Sequence, residues 1–208
     1  IKKKLGNFLL DVDFCMDGGV FAILGASGCG KSMTLKCIAG LEKADSGKII
    51  INEKVLFDSE NKINIKTKDR KVGFLFQNFA LLENKTVQEN LEIIKKSGRT
   101  DISINEALEK VGLQKVINKK VYQLSGGEQQ RVAIARALAT SPEVILCDEP
   151  TGALDKKTGQ QIIELLFQLV HERDIMLLFV THDSDVANIC NIIYEMDEGR
   201  IQCVKYDS

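Results

Sequence analysis

The sequence predicts an α/β fold in which short buried strands alternate with amphipathic helices. Three observations point there. First, Val20-Phe21-Ala22-Ile23-Leu24, Val72-Gly73-Phe74-Leu75-Phe76, Val144-Ile145-Leu146-Cys147 and the run Ile175 to Val180 are short and almost wholly apolar, as strands covered on both faces are. Second, apolar residues recur at helical spacing between these runs, as in Ile162, Ile163, Leu166 and Leu169. Third, a glycine-rich stretch, Gly25-Ala26-Ser27-Gly28-Cys29-Gly30-Lys31-Ser32, joins the first strand to a helix.

The composition bounds the molecule. The 208 residues make one domain, or one domain with a small inserted lobe, long enough to bury a full core. Apolar residues at 44% and charged residues at 27% are ordinary for a globular chain. A net charge of −1 supplies no global basic field, so no nucleic-acid partner is expected. The six cysteines form no C-x-x-C pair, which predicts reduced thiols and no zinc site. No apolar stretch reaches membrane-span length, and the Ile1-Lys2-Lys3-Lys4 start has no signal-peptide pattern, so a cytoplasmic protein is expected.

Each element has its own justification. Leu5 to Phe14 alternates around Phe8, Leu10, Val12 and Phe14, the period of a half-buried strand. Asp17-Gly18-Gly19 turns into the Val20–Leu24 strand. Leu35, Ile38 and Ala39 form the next helix, and Gly40 suits its end. Asp45-Ser46-Gly47 leads into Lys48–Ile51, and Asn52-Glu53-Lys54 is a tight turn before Val55-Leu56-Phe57. Asp58 to Lys71 is polar and reads as loop and edge. From 78 to 139 the pattern is helical: Val87, Leu91 and Ile94, then a break at Ser97-Gly98-Arg99-Thr100, then Ala107, Leu108, Val111 and Leu113. Leu124-Ser125-Gly126-Gly127-Glu128 opens a helix through Val132, Ala135, Leu138 and Ala139. Asp148-Glu149-Pro150 follows a strand, as does Thr181-His182-Asp183. Glu198-Gly199-Arg200 closes a final hairpin.

The glycine-rich stretch fits G-x-x-x-x-G-K-[ST], and its strand–helix context is the one this motif requires. Glycines let the backbone turn its N–H groups inward, and a helix start adds unpaired donors and a positive dipole end. Lys31 would reach the β- and γ-phosphates of a nucleotide, and the Ser32 hydroxyl would ligate Mg²⁺. The plain alternative is a glycine turn capping an ordinary helix. Asp148 has an alternative as a helix cap or solvated strand end, Gln77 as a loop amide, and Ser125-x-x-Glu128 as a capping box. The phosphate loop, Asp148-Glu149 and His182 all follow the carboxyl ends of predicted strands, where open α/β sheets bind ligands.

In this order of motifs the chain resembles the nucleotide-binding domain of ABC transporters along nearly its whole length. The Leu124-Ser125-Gly126-Gly127-Glu128 stretch is that family's own signature. The resemblance implies a P-loop NTPase core, RecA-like, with an amino-terminal antiparallel β subdomain and an inserted helical subdomain. It implies one ATPase domain over 1–208, with 1–77 and 140–208 as catalytic core and 78–139 as the helical signature subdomain. It implies ATP and Mg²⁺: Gly25 to Ser32 and Met33 on the phosphates, with Ser32, Gln77 and Asp148 on the metal. Glu149 would polarise the attacking water, with Gln77 orienting it and His182 contacting the γ-phosphate. Ser125, Gly126 and Gly127 would bind the γ-phosphate held by a second copy, or by a paralogous subunit, in a head-to-tail dimer. Asp155 would couple the two sites. Leu5 stands where the family carries an adenine-stacking aromatic, and Met33 where threonine is common.

The resemblance is also divided. Through about Arg70 it is nearest to molybdate-type oxyanion importers. From Phe76-Gln77-Asn78-Phe79 onward, and at Asp148 to Asp155, it is nearest to exporters of bacteriocins, lipoproteins or macrolides. The expected function is the ATP-hydrolysing motor of a membrane transporter, bound to permease subunits on the inner face of the membrane. The rivals are a soluble ABC-type ATPase of DNA repair or translation, which would be expected to carry a coiled-coil insertion or a second cassette, and a nucleotide switch without turnover.

Overall fold

The structure is a computed structural model that describes residues 1–95 and 102–206. In chain order the elements are β1 (Lys2–Leu5), β2 (Phe8–Asp11), β3 (Val20–Leu24), α1 (Lys31–Ala39), β4 (Lys48–Ile51), β5 (Lys54–Asp58), β6 (Ile63–Asn64) and β7 (Val72–Leu75). There follow α2 (Val87–Lys95), α3 (Ile104–Lys110), α4 (Gly126–Leu138), β8 (Val144–Asp148), α5 (Lys156–Arg173), β9 (Met176–Thr181), α6 (Ser184–Asn188), β10 (Ile192–Asp197) and β11 (Arg200–Tyr206). The chain divides into two compact units, Ile1–Arg70 with Met176–Ser208, and Lys71–Ile175.

In the first unit the strand order is β1-β2-β11-β10-β3-β9. β3 lies between β10 and β9 and runs parallel to both, with Val20 to Leu24 aligned to Leu177 to Thr181. Its all-apolar sequence suits this central place. Phe21, Ala22 and Ile23 are fully buried, together with Leu35, Leu177 and Phe179. β4, β5 and β6 form a separate antiparallel sheet. Asn52 and Glu53 make the turn between β4 and β5 with φ of 45° and 64°, the left-handed pair of the tightest hairpins.

Leu5 to Phe14 is not one strand. The chain folds back at Gly6-Asn7, where Gly6 takes φ 61°, so β1 pairs antiparallel with β2. Val12 stays buried although the ladder ends at Asp11, because its backbone N–H and C=O pair with Ile1 instead. α1 ends at Gly40 in the left-handed conformation, φ 75°. Arg70 covers that end. It is buried at 3% exposure and donates to Cys37 O, Ile38 O, Ile65 O and Asn64 Oδ1.

In the second unit β7 and β8 pair in parallel, Val72 to Leu75 against Val144 to Cys147. α4 packs on β7, and α2, α3 and α5 pack on α4; the buried stripes of these helices are Val87 and Leu91, Ala107 and Leu108, Val132, Ile134 and Leu138, and Ile162 and Leu166. α3 stops at Lys110 and Gly112 adopts φ 71°, so Leu113 is buried from beyond the helix. The expected break at Ser97-Gly98-Arg99-Thr100 lies outside the described residues.

Candidate functional site

In the first unit the site grows from the end of β3. A Cβ on Gly25 would lie 2.4 Å from Met196 O and 2.9 Å from Cys29 Sγ, so only glycine fits. Gly28 and Gly30 take φ of 83° and 113°, which other residues rarely adopt. Gly30 is the N-cap of α1 and supplies no side-chain cap, and the first turn of α1 holds no acidic residue. The helices that begin after Ser125, Asp155 and Asp183 are each capped by that side chain. The α1 start therefore presents first-turn amides and a positive dipole end, with no acidic residue in that turn to compete for them.

Lys31 is buried, and its Nζ donates to Gly25 O at 2.7 Å and Ala26 O at 2.8 Å. This keeps a cation against the inner curve of the loop. Glycine-permitted turns, a held ammonium and a first helical turn free of acidic residues fit a polyphosphate. Ala26, Ser27 and Gly28 are exposed, Ser32 and Met33 are half-buried, and Cys29 is shielded at 7% exposure. Leu24 is aligned with Thr181, so Gly25 and His182 leave neighbouring parallel strands side by side. His182 is exposed there.

Leu5 is exposed at the turn between β1 and β2. Phe8 is half-buried beside that turn. Its Cζ packs against Gly30 and Gly199, 3.1 and 3.0 Å from where their Cβ atoms would be. An open cleft beside the loop is lined by Asn7, Phe8, Asp11, Ala26, Gly28 and Arg200.

In the second unit the ladder aligns Leu75 with Cys147, so the residues after it meet. Gln77 Nε2 donates to Glu149 Oε2 at 3.1 Å. Asp148 is the last residue of β8 and half-buried. Glu149 has φ 48°. Pro150 follows it and disfavours the right-handed helical alternative, and Gly152 N donates to Glu149 O at 3.1 Å.

The signature stretch is a complete capping box. Glu128 N donates to Ser125 Oγ at 3.3 Å, and Ser125 N donates to Glu128 Oε2 at 2.8 Å. That backbone N–H holds the Glu128 carboxyl below the usual range, with the Ser125 hydroxyl adding to it. The glycines also have a packing reason. A Cβ on Gly126 would be 3.2 Å from Leu154 Cδ2, and one on Gly127 2.6 Å from Thr158 Cγ2. Asp155 caps α5, accepting from Thr158 N at 3.0 Å, and its bonds to Thr158 lower its carboxyl's pKa.

Three polar side chains of this unit, two of them buried, escaped the sequence reading. Asn90 is fully buried and bonds Leu82 N, Leu82 O and Thr86 O. Arg136 donates to Phe79 O and Ala80 O, fixing two residues of positive φ just after Gln77. Gln130 donates Nε2 to Pro150 O at 2.8 Å. The signal for Asn90 and Gln130 was there: each is a polar residue at a buried-stripe position, beside Val87 and Leu91 or before Ala133 and Ala137.

Among the described residues no group of three or more His, Cys, Asp and Glu side chains forms a metal cage. Taken singly, Ser32 in the first unit carries a hydroxyl, and Gln77 and Asp148 in the second carry an amide and a carboxylate, each with a hard oxygen of the kind Mg²⁺ accepts.

Comparison with known proteins gives a consistent result. The family described as ABC transporter matches residues 9–152. The molybdenum import ATP-binding protein ModC of Methylococcus capsulatus is 44% identical over 199 residues, covering 94% of this chain and 55% of that protein. The methionine import ATP-binding protein MetN 1 of Bacillus licheniformis is 41% identical over 197 residues, covering 91% and 59%. The chain thus spans a little over half the length of these relatives. Among solved structures, the dimeric ATP-binding cassette MJ0796 in a post-hydrolysis state bound to ADP and Pi superposes with a TM-score of 0.81 at 35% identity, covering 100% of this chain and 96% of that one. Clostridium perfringens cbiO1, part of the ABC transporter complex cbiONQ, gives 0.75 at 31% identity, covering 89% and 76%.

Proposed function

Because the chain belongs to the ABC transporter family, we propose that it is the ATP-hydrolysing motor subunit of a membrane transporter. The single observation that carries this is the α1 start: a loop of glycines forced by φ and by close contact, an uncapped helix end, and Lys31 held against it. In this reading Gly25 to Ser32 and Met33 hold the polyphosphate of ATP, and Lys31 bonds its β- and γ-phosphates. Ser32, Gln77 and Asp148 hold Mg²⁺, which when bound neutralises charge on the phosphates. Glu149 takes up the proton of the attacking water, Gln77 orients that water, and His182 contacts the γ-phosphate. The left-handed turn and the Gln77 bond keep the Glu149 carboxylate in one direction. Such positioning is most of what phosphoryl transfer requires of a protein.

The functional form is a head-to-tail dimer, of two copies or of this chain with a paralogous ATPase subunit. The first turn of α4, at Ser125, Gly126 and Gly127, donates to the γ-phosphate held by the other subunit, and Asp155 couples the two sites. Residues 78–139 act as the signature subdomain on a core of 1–77 and 140–208. The permease engages the chain on the cytoplasmic side of the membrane; among the described residues no helix is long and apolar enough to cross one. Import is favoured over export, because the likeness to import ATP-binding proteins runs through both halves of the chain. A molybdate-like oxyanion is the first cargo to test.

Steady-state ATPase assays test the reading. Glu149→Gln should lower kcat by about 10²–10⁴-fold, the usual share of a general base, with ATP affinity kept. Turnover near wild type would remove Glu149 as the base.

A further inference from the structure

Gln130 is fully buried on α4 and donates its Nε2 to Pro150 O at 2.8 Å. Its Oε1 is buried with no hydrogen-bond partner among the described residues. The opposite amide orientation is worse, since it would press Oε1 against the Pro150 carbonyl, acceptor on acceptor. An orphaned buried oxygen is destabilising. A methionine would fill about the same space without one, so stability alone does not call for glutamine here.

What the amide holds gives the reason. Pro150 is the residue after Glu149, whose backbone is left-handed at φ 48°. The bonds that grip the Glu149 turn in this unit include three: Gln77 bonds its carboxylate, Gly152 N bonds its own carbonyl, and Gln130 bonds the next carbonyl. The last of these comes from α4, five residues after the start of the capping box at Ser125. The contacts of Gly126 with Leu154 and Gly127 with Thr158 seat the same helix end on the residues that follow the turn.

We propose that Gln130 is a positioning residue for hydrolysis: its amide ties α4, in the turn after its capped start, to the Glu149-Pro150 turn and so sets the aim of the Glu149 carboxylate. A shift of α4 is thereby passed to the base without a separate relay. The inference rests on the reading of Glu149 as general base.

The test is Gln130→Met in the full chain, with ATPase kinetics, ATP affinity and thermal unfolding measured together. Removing the donor strands Pro150 O but also deletes the orphan Oε1, so the unfolding midpoint should stay near that of wild type. The kcat should fall about tenfold while ATP affinity stays within about twofold, the signature of lost alignment. A kcat within about twofold of wild type would overturn the inference, as would a fall in kcat matched by loss of stability or of ATP affinity. Glu149→Gln, run alongside, separates the two claims. If it turns over normally the base assignment itself fails; if it is slow while Gln130→Met is unaffected, only the role of Gln130 fails.

Discussion

Arg70→Met isolates the contribution of one buried cation to the helix that carries the phosphate loop. Arg70 is 3% exposed and has no carboxylate among its bonded partners; it serves carbonyls at the end of α1 and in the 64–65 segment. Cys37 O would keep a bond from Gly40 N. Ile38 O and Ile65 O would lose the guanidinium with no described residue in its place. A buried carbonyl left without a donor costs about 1–3 kcal/mol. Ile38 O and Ile65 O are part-buried, so the two together, less the desolvation relieved when the guanidinium goes, give an expected loss of about 1–3 kcal/mol. Arg70→Lys keeps a charge at the negative end of the helix but cannot fork between carbonyls, so about half the loss should remain. Urea unfolding followed by far-ultraviolet circular dichroism measures both. A loss below about 1 kcal/mol for Arg70→Met, the size of an ordinary substitution, would refute the idea that the guanidinium closes α1.

Two further outcomes follow from the geometry. Gly25→Ala would put a methyl 2.4 Å from Met196 O; overpacking of about 1–3 kcal/mol should lower the unfolding midpoint and weaken ATP binding in a nucleotide titration, and unchanged values of both would show that the loop yields easily. Lys85 Nζ, then Thr86 N–H, hold the Glu89 carboxyl down to about 2 from an ordinary 4.5. The folded value lies below the unfolded one, so this stabilisation is complete above pH 4.5 and is lost as pH falls toward 2. Glu89→Gln should therefore flatten the stability–pH curve in that acid window, and a curve of wild-type shape would contradict the assignment.

Much of the fold was legible because periodicity and turn chemistry agreed. The Val20–Leu24 strand, Gly40 as helix end and the Ser125–Glu128 box were readable from local rules and occur as read, and the turn expected over Asn52-Glu53-Lys54 occurs at Asn52-Glu53, with Lys54 already in β5. Leu5 to Phe14 was misread because alternation at Phe8, Leu10, Val12 and Phe14 runs straight past the end of the ladder. Nothing in that pattern reports that Gly6 bends the chain or that Val12 pairs with Ile1. Arg70, Asn90, Gln130 and Arg136 were missed for another reason. Their partners include backbone carbonyls, which every residue carries, so no second residue type marks the contact. At the candidate site, chemistry was visible in residue types, but the left-handed backbone of Glu149 was hinted at only by Pro150.

The close approach of Gly127 to Thr158 has an evolutionary consequence. A methyl at 127 meets Thr158 Cγ2 at 2.6 Å but Thr158 Cβ only at 4.0 Å, so serine at 158 would make room that threonine denies. These two positions should therefore drift as a pair across related chains, with alanine at 127 appearing only on backgrounds already trimmed at 158. A glycine held at 127 within one lineage would then record a neighbour inside its own chain as much as any phosphate brought by a partner.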